Sequence, residues 1–421
     1  MTEKQRIYFC IDMKCFYASV ECVERGLNPF ETPLVVADET RGKNALCLAV
    51  SPHLKSLGVK NRCRLSEIPS SIKYIVAKPR MKKYIDYAAD IYDVYLEYLS
   101  HSDIHVYSID ESFLDVTDYL GLYRKTPCEF AKFLLAEIAK TKRIPATCGI
   151  GTNLYLAKIA LDLTAKKTKD GIGFLDEDLY KKTLWTHRPL SDFWQISSGI
   201  SARLSKYGIF DMKGIAETSE ELLYKVFGIN AELLIDHAYG RESCTLADIK
   251  NYKSKSRSVS FSQILPSDYD YEKAALVMDE MLLAGCQEMM KRNVVTDSVG
   301  IYIGYSDFSG LSDGGTVKMT VKTNVFSAIA PYVSRLFSEK ADKNLPIRRL
   351  GITFNSVSSV SNETYDLFTD FEKIRKEKEA EKTVLGLKAR FGKNAVLRGM
   401  DFCDGATAAE RNRLIGGHNG E

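Results

Sequence analysis

A chain of 421 residues with 45% hydrophobic and 27% charged residues has a globular composition, which excludes a disordered, collagen-like or coiled-coil whole, and its length suggests about two to four domains. The net charge of +3 excludes a strongly basic nucleic-acid coat, but not an enzyme that holds nucleic acid through local basic tracks. No apolar run approaches membrane-spanning length, the opening MTEKQRIYFCIDM turns acidic too early for a signal peptide, and the ten cysteines form no CxxC pair, so the expectation is a cytoplasmic protein with reduced thiols and no membrane contact.

In chain order, residues 6–11 read as a short apolar strand ending at Asp12, and FYASVECVERG reads as the helix after it, stopped by Gly26. Two short strands at 34–37 and 45–50 flank a turn containing Gly42. Residues 51–80 are polar and basic, broken by Pro52, Pro69 and Pro79. An apolar stripe of Ile85, Ala88, Ala89, Tyr92, Tyr95 and Leu96 predicts a helix over 81–99. In HVYSIDESFLDV, apolar residues on both sides of an acidic pair predict a tight hairpin with Asp110 and Glu111 at its turn. A helix over 130–141, a strand over 147–151 and a helix over 154–163 follow, an α+β mixture rather than a doubly wound sheet. Residues 186–245 are helical, punctuated by Gly199, Gly208, Gly228 and Gly240, and the basic stretch 249–258, IKNYKSKSRS, reads as a linker. A long helix at 272–291 among the alternating segments VGIYIGYS, VKMTVKT and RRLGITFNSV predicts a second compact α+β unit. From 369 the chain is charged and reads as an exposed helix or a partly disordered tail.

Basic clusters at Lys60, Arg62 and Arg64, at Lys78, Arg80, Lys82 and Lys83, at Lys166, Lys167 and Lys169, and at Lys250, Lys253, Lys255 and Arg257 tilt toward a polyanionic partner. The acids suggest what happens to it. When a hydroxyl attacks a phosphoryl group and pyrophosphate leaves, charge builds on two oxygens, and two Mg²⁺ ions about 3.5–4 Å apart can neutralise it. Each ion needs one or two carboxylates, with phosphate and water completing its shell. Asp12 at a strand end and Asp110 with Glu111 on a hairpin converge if the strand lies beside the hairpin.

IDMKCFYASVE and YSIDESFLDV, in that order, resemble the two metal-binding motifs of Y-family DNA polymerases of the UmuC and DinB type, D-x-x-x-F-[YF]-A-S-V-E and S-I-D-E. The resemblance implies that Asp12, Asp110 and Glu111 hold two Mg²⁺ ions, with the backbone carbonyl of Met13 as a further ligand. It implies that Tyr17 is the steric gate that rejects a ribose 2′-hydroxyl, with Phe16 packed beside it. Lys14 stands where many DinB-like members carry a second acid, which UmuC-like members also lack. SPHLKSLGV resembles the fingers segment that grips the triphosphate. Lys55 is its basic residue, and Ser51 is the candidate hydroxyl where Pro52 replaces a tyrosine of DinB-like members. GIGTNLYLAKIALDLTAKKTKDGIG resembles the block whose lysine lies near the β- and γ-phosphates; Lys166 is the first choice and Lys167 the alternative, with Lys158 close to the carboxylates.

The same resemblance implies a multidomain right-hand polymerase of α+β class: a palm (1–30 and 81–185), small fingers (31–80), a helical thumb (186–248), a little-finger α+β domain (249–362) and a C-terminal tail (363–421). In the thumb, the turn at Gly228 would offer backbone N–H groups to phosphate, whereas Gln195-Ile196-Ser197 replaces a usual Gly-x-Gly turn. Lys253, Lys255 and Arg257 would touch the DNA backbone. Thr364-Tyr365-Asp366-Leu367-Phe368 resembles the clamp-binding pentapeptide Q-L-x-L-F, with Leu367 and Phe368 as anchors on a sliding clamp. The final segment resembles that of UvrX-like, ImpB/MucB/SamB-type members. The implied function is template-directed synthesis past damaged bases in an SOS-type repair response, error-prone and weakly processive, on primer–template DNA with deoxynucleoside triphosphates. UmuC-like members work with a small accessory subunit. Two rival readings use the same residues: a nucleotidyl cyclase, which would not need the thumb or little finger, and a non-catalytic DNA-binding accessory protein, which would not need the intact acids.

Overall fold

The computed structural model describes residues 5–254, 257–306, 310–367 and 369–420. The chain divides into two units, one ending at Tyr252 and one running Lys253–Gly420. The first contains, in order, β1 (Tyr8–Met13), α1 (Phe16–Glu24), β2 (Leu34–Val36), β3 (Ala49–Val50), α2 (Pro52–Ser56), β4 (Ile75–Ala77), α3 (Met81–Leu96), β5 (Ile104–Val106), β6 (Glu111–Asp115), α4 (Tyr119–Tyr123), α5 (Pro127–Lys142), β7 (Ala146–Gly151), α6 (Leu154–Ile159) and β8 (Ile172–Leu175). Five of these strands make one sheet in the order β5-β6-β1-β7-β8.

Period two along β1 sorts its side chains between the two faces of the sheet. Phe9, Ile11 and Met13 enter a core with Tyr95 of α3 and Phe130 and Leu134 of α5. Tyr8 and Cys10 pack on the other face with Leu154, Ala157 and Leu161. Asp12 therefore lies on the face covered by α6. That helix approaches closely because β7 carries glycines beneath it: a Cβ on Gly149 would stand 2.1 Å from the Ala157 carbonyl oxygen, and one on Gly151 would stand 2.1 Å from the Ala157 nitrogen. After α6 the chain widens into a π turn at Ala160–Thr164, so the expected single helix over 154–163 is an α-helix followed by a π turn, and a 3₁₀ turn at Ala165–Lys167 lies beyond it.

Two expectations need adjusting in this unit. Glu111 is the first residue of β6, not part of the hairpin turn, because the turn closes with the Tyr107 and Ser108 N–H groups on the Glu111 carbonyl, at 3.0 Å each. The strand expected over 45–50 shrinks to Ala49–Val50, with Leu46 making only an isolated bridge to Arg64. A small sheet, β3-β2-β4, carries α2 at its end.

Helices α7 (Glu177–Leu184), α8 (Ser198–Ser205), α9 (Met212–Glu217), α10 (Glu220–Phe227), α11 (Asn230–Ala238) and α12 (Leu246–Asn251) complete the first unit. The first five share a core of Tyr180, Leu204, Met212, Leu223 and Leu234 with Tyr155 and Ile159 of α6. The segment read as a linker from 249 begins inside α12, which is fixed by a capping box between Thr245 and Asp248.

The second unit contains β9 (Val259–Tyr269), α13 (Tyr271–Lys291), β10 (Val294–Tyr305), β11 (Ser312–Thr323), α14 (Phe326–Lys340) and β12 (Ile347–Asn355). Its antiparallel sheet, ordered β11-β10-β12-β9, shares one core with α13 and α14. The stretch read as a charged tail folds into this unit. Helix α15 (Phe371–Phe391) buries Glu381, which accepts from Gln287 of α13 at 2.9 Å and pairs with Arg398. At the start of the short helix α16 (Ala408–Arg411), the Glu280 carboxylate, 1% exposed, accepts from the Thr407 and Ala408 backbone N–H groups and the Thr407 hydroxyl.

Candidate active site

Antiparallel pairing sets Asp12 of β1 directly opposite Glu111 of β6. The Met13 N–H donates to the Asp110 carbonyl at 2.9 Å, tying the hairpin turn to the same strand end. Side chains opposite one another on one sheet face stand about 5 Å apart at Cβ, so two like charges here repel unless cations intervene.

The chain supplies two such cations from the helical segment on that face. Lys158 donates to Glu111 Oε2 at 2.7 Å, and Lys166 stands 3.7 Å from Asp12 Oδ2. Between them lies Asp162, 3.1 Å from Lys158 and 2.8 Å from Lys166. The second Glu111 oxygen accepts from the Cys10 thiol at 3.0 Å, and Ser108 Oγ donates to Asp110 Oδ1 at 2.7 Å. Burial pushes the Asp12 carboxyl up to about 6; Lys166 opposes the shift and the Asp110 and Glu111 charges add to it. Burial opposes the ammonium of Lys158, yet the neighbouring Cys10, Glu111 and Asp162 raise its pKa overall. Lys166 is also raised, burial being overcome by Asp12 and Asp162.

Four carboxylates (Asp12, Asp110, Glu111 and Asp162) against two lysines leave a local charge of −2. Carboxylate oxygens with surplus negative charge suit a hard divalent cation, so the donor set fits one. Among the described residues no three His, Cys, Asp or Glu side chains stand together at metal-holding spacing. The Glu111 oxygens are engaged by Lys158 and the Cys10 thiol, and Asp12 stands against Lys166.

The other residues singled out from sequence fall around this cluster or away from it. Phe16 is buried at the start of α1. The Tyr17 ring stacks on Tyr84 at 4.4 Å, and its hydroxyl pKa is raised by burial and by the Asp110 charge. Met13 turns its side chain into the core, which leaves only its backbone at the site. Burial raises the Cys15 thiol pKa, and the charge of Lys55 on α2 opposes that shift. Of the adjacent lysines, Lys166 carries the Asp12 contact. Ser51 is corrected: it is fully buried, its Oγ caps α2 by accepting from the Leu54 N–H at 3.3 Å and donates to the Thr32 carbonyl at 2.7 Å. A hydroxyl used in this way is not available to a phosphate.

In the helical part, Gly228 adopts φ +60 between α10 and α11, and a Cβ added there would meet no atom within 4 Å. Gln195 adopts φ +68, so the position expected to prefer glycine keeps a left-handed backbone with a side chain attached. In the second unit Lys253 and Arg257 are exposed and Leu367 is 99% exposed, while Lys255 and Phe368 lie outside the described residues. Cys10 and Asp162 escape the sequence reading. A signal for Asp162 exists, since it stands four residues from both Lys158 and Lys166. A cleft of about 1080 Å³ lined by Arg6, Tyr8, Asp115, Asn153 and Arg241 lies at the opposite end of β1 and includes none of the three acids.

Comparison with known proteins matches residues 11–162 to the sequence model of the impB/mucB/samB family and residues 253–367 to that of the impB/mucB/samB family C-terminal domain. The chain is 33% identical to the putative UV-damage repair protein UvrX of Bacillus subtilis (strain 168), over 97% of this chain and 96% of that one. It is 31% identical to DNA polymerase IV 2 of the same organism, over 99% of each chain, and 28% identical to DNA polymerase IV 2 of Halalkalibacterium halodurans, over 98% and 99%. A solved Y-family DNA polymerase chimera, Dbh-Dpo4(243-245)-Dbh, shares the fold with a TM-score of 0.63 at 21% identity, over 84% of this chain and 99% of that one.

Proposed function

Because the chain belongs to the impB/mucB/samB family of Y-family DNA polymerases, we propose that it extends primers past damaged template bases by a two-Mg²⁺ transfer of deoxynucleotides at Asp12, Asp110 and Glu111. It is a DNA-directed DNA polymerase of the translesion type, which makes primer–template DNA and deoxynucleoside triphosphates its substrates. Members of this class are metal-dependent nucleotidyltransferases. When bound, a pair of Mg²⁺ ions would neutralise charge on the attacking 3′-oxygen and on the departing pyrophosphate.

The remaining work falls to side chains. Asp12 and Glu111 hold their carboxylates on one sheet face, Asp110 adds a third from the turn, and the Met13 carbonyl would serve as a further ligand. Lys166 and Lys55 approach from different elements and would steady the triphosphate. The Tyr17 ring, backed by Tyr84 at 4.4 Å, would form the floor under the deoxyribose, with Phe16 fixing the helix start. In the thumb-like helices the Gly228 turn would offer N–H groups to the duplex backbone. Lys253, Lys255 and Arg257 would follow the same backbone, with binding that falls steeply as salt rises.

The observation that carries this reading is the pairing of Asp12 with Glu111, with Asp110 bonded through its backbone to Met13. Primer extension with the purified chain and Mg²⁺ tests it. Asp110→Ala and Glu111→Ala should each lose at least a thousandfold in rate, ~4 kcal/mol of barrier, and wild-type extension by either would refute the assignment. In the same assay Tyr17→Ala should extend and accept ribonucleotides roughly tenfold better, ~1.4 kcal/mol of discrimination. A cyclic product from a single nucleotide without DNA would instead favour the cyclase.

A sliding clamp is the second partner proposed. The Thr364 N–H and hydroxyl are bonded to the Lys322 backbone at 3.1 and 2.7 Å, and Leu367 projects fully from the surface three residues later. Leu367→Ala with Phe368→Ala should abolish co-elution with a bacterial clamp, and undiminished co-elution would remove the motif. A small accessory subunit follows from the UmuC-like resemblance alone, and full extension by the unaided chain would dispense with it. Among the described residues no helix is long and apolar enough to cross a membrane, and a cytoplasmic site of action is proposed because the substrate would be DNA.

A further inference from the structure

Glu111, Lys158, Asp162, Lys166 and Asp12 form one continuous run of alternating charge. The steps along it are 2.7, 3.1, 2.8 and 3.7 Å. Asp162 sits at the centre, in contact with both lysines.

The two outer pairs pose a physical problem for the proposed reaction. An ammonium on a carboxylate competes with a divalent ion for the same oxygen lone pairs. Glu111 is buried and the Lys158 side chain is only 9% exposed. Breaking such a pair with nothing to receive the ammonium leaves a buried cation without a partner, which is costly. A third anion within reach of both lysines removes that cost, and Asp162 is already bonded to each. It lies within the π turn at Ala160–Thr164, four residues from each lysine.

We propose that Asp162 is a positioning residue that draws Lys158 and Lys166 off Glu111 and Asp12, so that those two carboxylates are released to divalent ions while Lys166 stays beside them for the triphosphate. This deepens the metal-dependent polymerase reading and rests on it. Asp162 acts here through the lysines and needs no contact with substrate.

The experiment is binding of Mn²⁺ alone, without DNA or nucleotide, followed by the loss of the free-ion paramagnetic signal in the full chain. Asp162→Asn should weaken binding by roughly fivefold or more, because both lysines then settle on the ligand carboxylates. Lys158→Met and Lys166→Met should each tighten binding at least about twofold, since each removes a competitor. Asp162→Asn added to Lys158→Met should cost clearly less than it does in the wild type, because contacting residues couple whereas independent ones add.

Equal costs in the two backgrounds would mean that Asp162 contributes only bare charge, and the proposal would be overturned while the polymerase reading stood. If Asp162→Asn fails to fold, the lysine variants decide: unchanged or weaker Mn²⁺ binding by Lys166→Met, whose side chain is 43% exposed, overturns the proposal. Wild-type protein that takes up no Mn²⁺ sinks the metal site and this inference together.

Discussion

Glu21 lies in the second half of α1, yet it bears on the proposed nucleotide pocket. Its carboxylate is fully buried, accepts from Arg80 at 3.0 and 2.8 Å and from the Tyr84 hydroxyl at 2.8 Å, and is paired with Arg25. Burial by itself raises a carboxyl pKa, but the bonds from Arg80, Arg25 and Tyr84 outweigh it and hold Glu21 below the ordinary 4.5. A depressed pKa contributes stability that is complete above the unfolded value and is lost as pH falls through the native one. Glu21→Gln should therefore lose about 3 kcal/mol at neutral pH and show a shallower acid-induced loss than the wild type below 4.5. Urea unfolding at neutral and acidic pH measures both, and parallel pH profiles would exclude Glu21 as the source. Because Tyr84 backs Tyr17, the variant should also loosen sugar selection. Asp12, Asp110, Glu111 and Tyr17 can be proposed from sequence because the chemistry they would serve calls for particular side chains within a short string. Glu21 lies in the same string, but its partner Arg80 is 59 positions away, and no local pattern announces that pairing.

At the scale of elements, β7 and the segment that follows it decide where the lysines go. Gly149 and Gly151 are legible only as members of a strand, because the close approach of α6 is a contact between segments. Gly149→Ala would drive a Cβ into the backbone of Ala157 and Leu161, at 2.1 and 2.2 Å. Backbone cannot step aside as a flexible side chain can, so the variant should lose ~3 kcal/mol and displace Lys158 and Lys166. The check is an unfolding curve together with primer extension; an unaltered curve would mean that α6 is not held down as described. The break at Ala160–Thr164 is likewise hidden. Apolar spacing supports one helix over 154–163, and a π turn differs from an α turn by a single residue. Ser51 departs from expectation for a related reason: serine before Pro52 at a helix start is the signature of an N-cap, and that use excludes the phosphate role.

For the whole molecule, composition and periodicity are enough to expect several α+β bodies, and the chain forms two units with separate cores. The final segment reads as a charged tail because its apolar content is low. It is instead held by buried polar contacts, which hydropathy does not register. Truncation after residue 370 would strip the partners from Glu280 and Gln287, so that a carboxylate 1% exposed in the intact chain loses its donors from Thr407 and Ala408 along with the segment that covers it. The second unit should then lose roughly 3 kcal/mol or more, seen as a lower unfolding midpoint, whereas a dispensable tail would leave the midpoint in place.

The amino-acid order by itself determined most of the strands and helices and was enough to single out the side chains proposed for phosphoryl transfer, because local periodicity and the motifs of such chemistry are written in short strings. Only the tertiary structure decided which side chains pair with the acids. The partners of Asp12 and Glu111 come from a helical segment folded over the neighbouring strands, and Coulomb attraction depends on distance in space, not on distance along the chain.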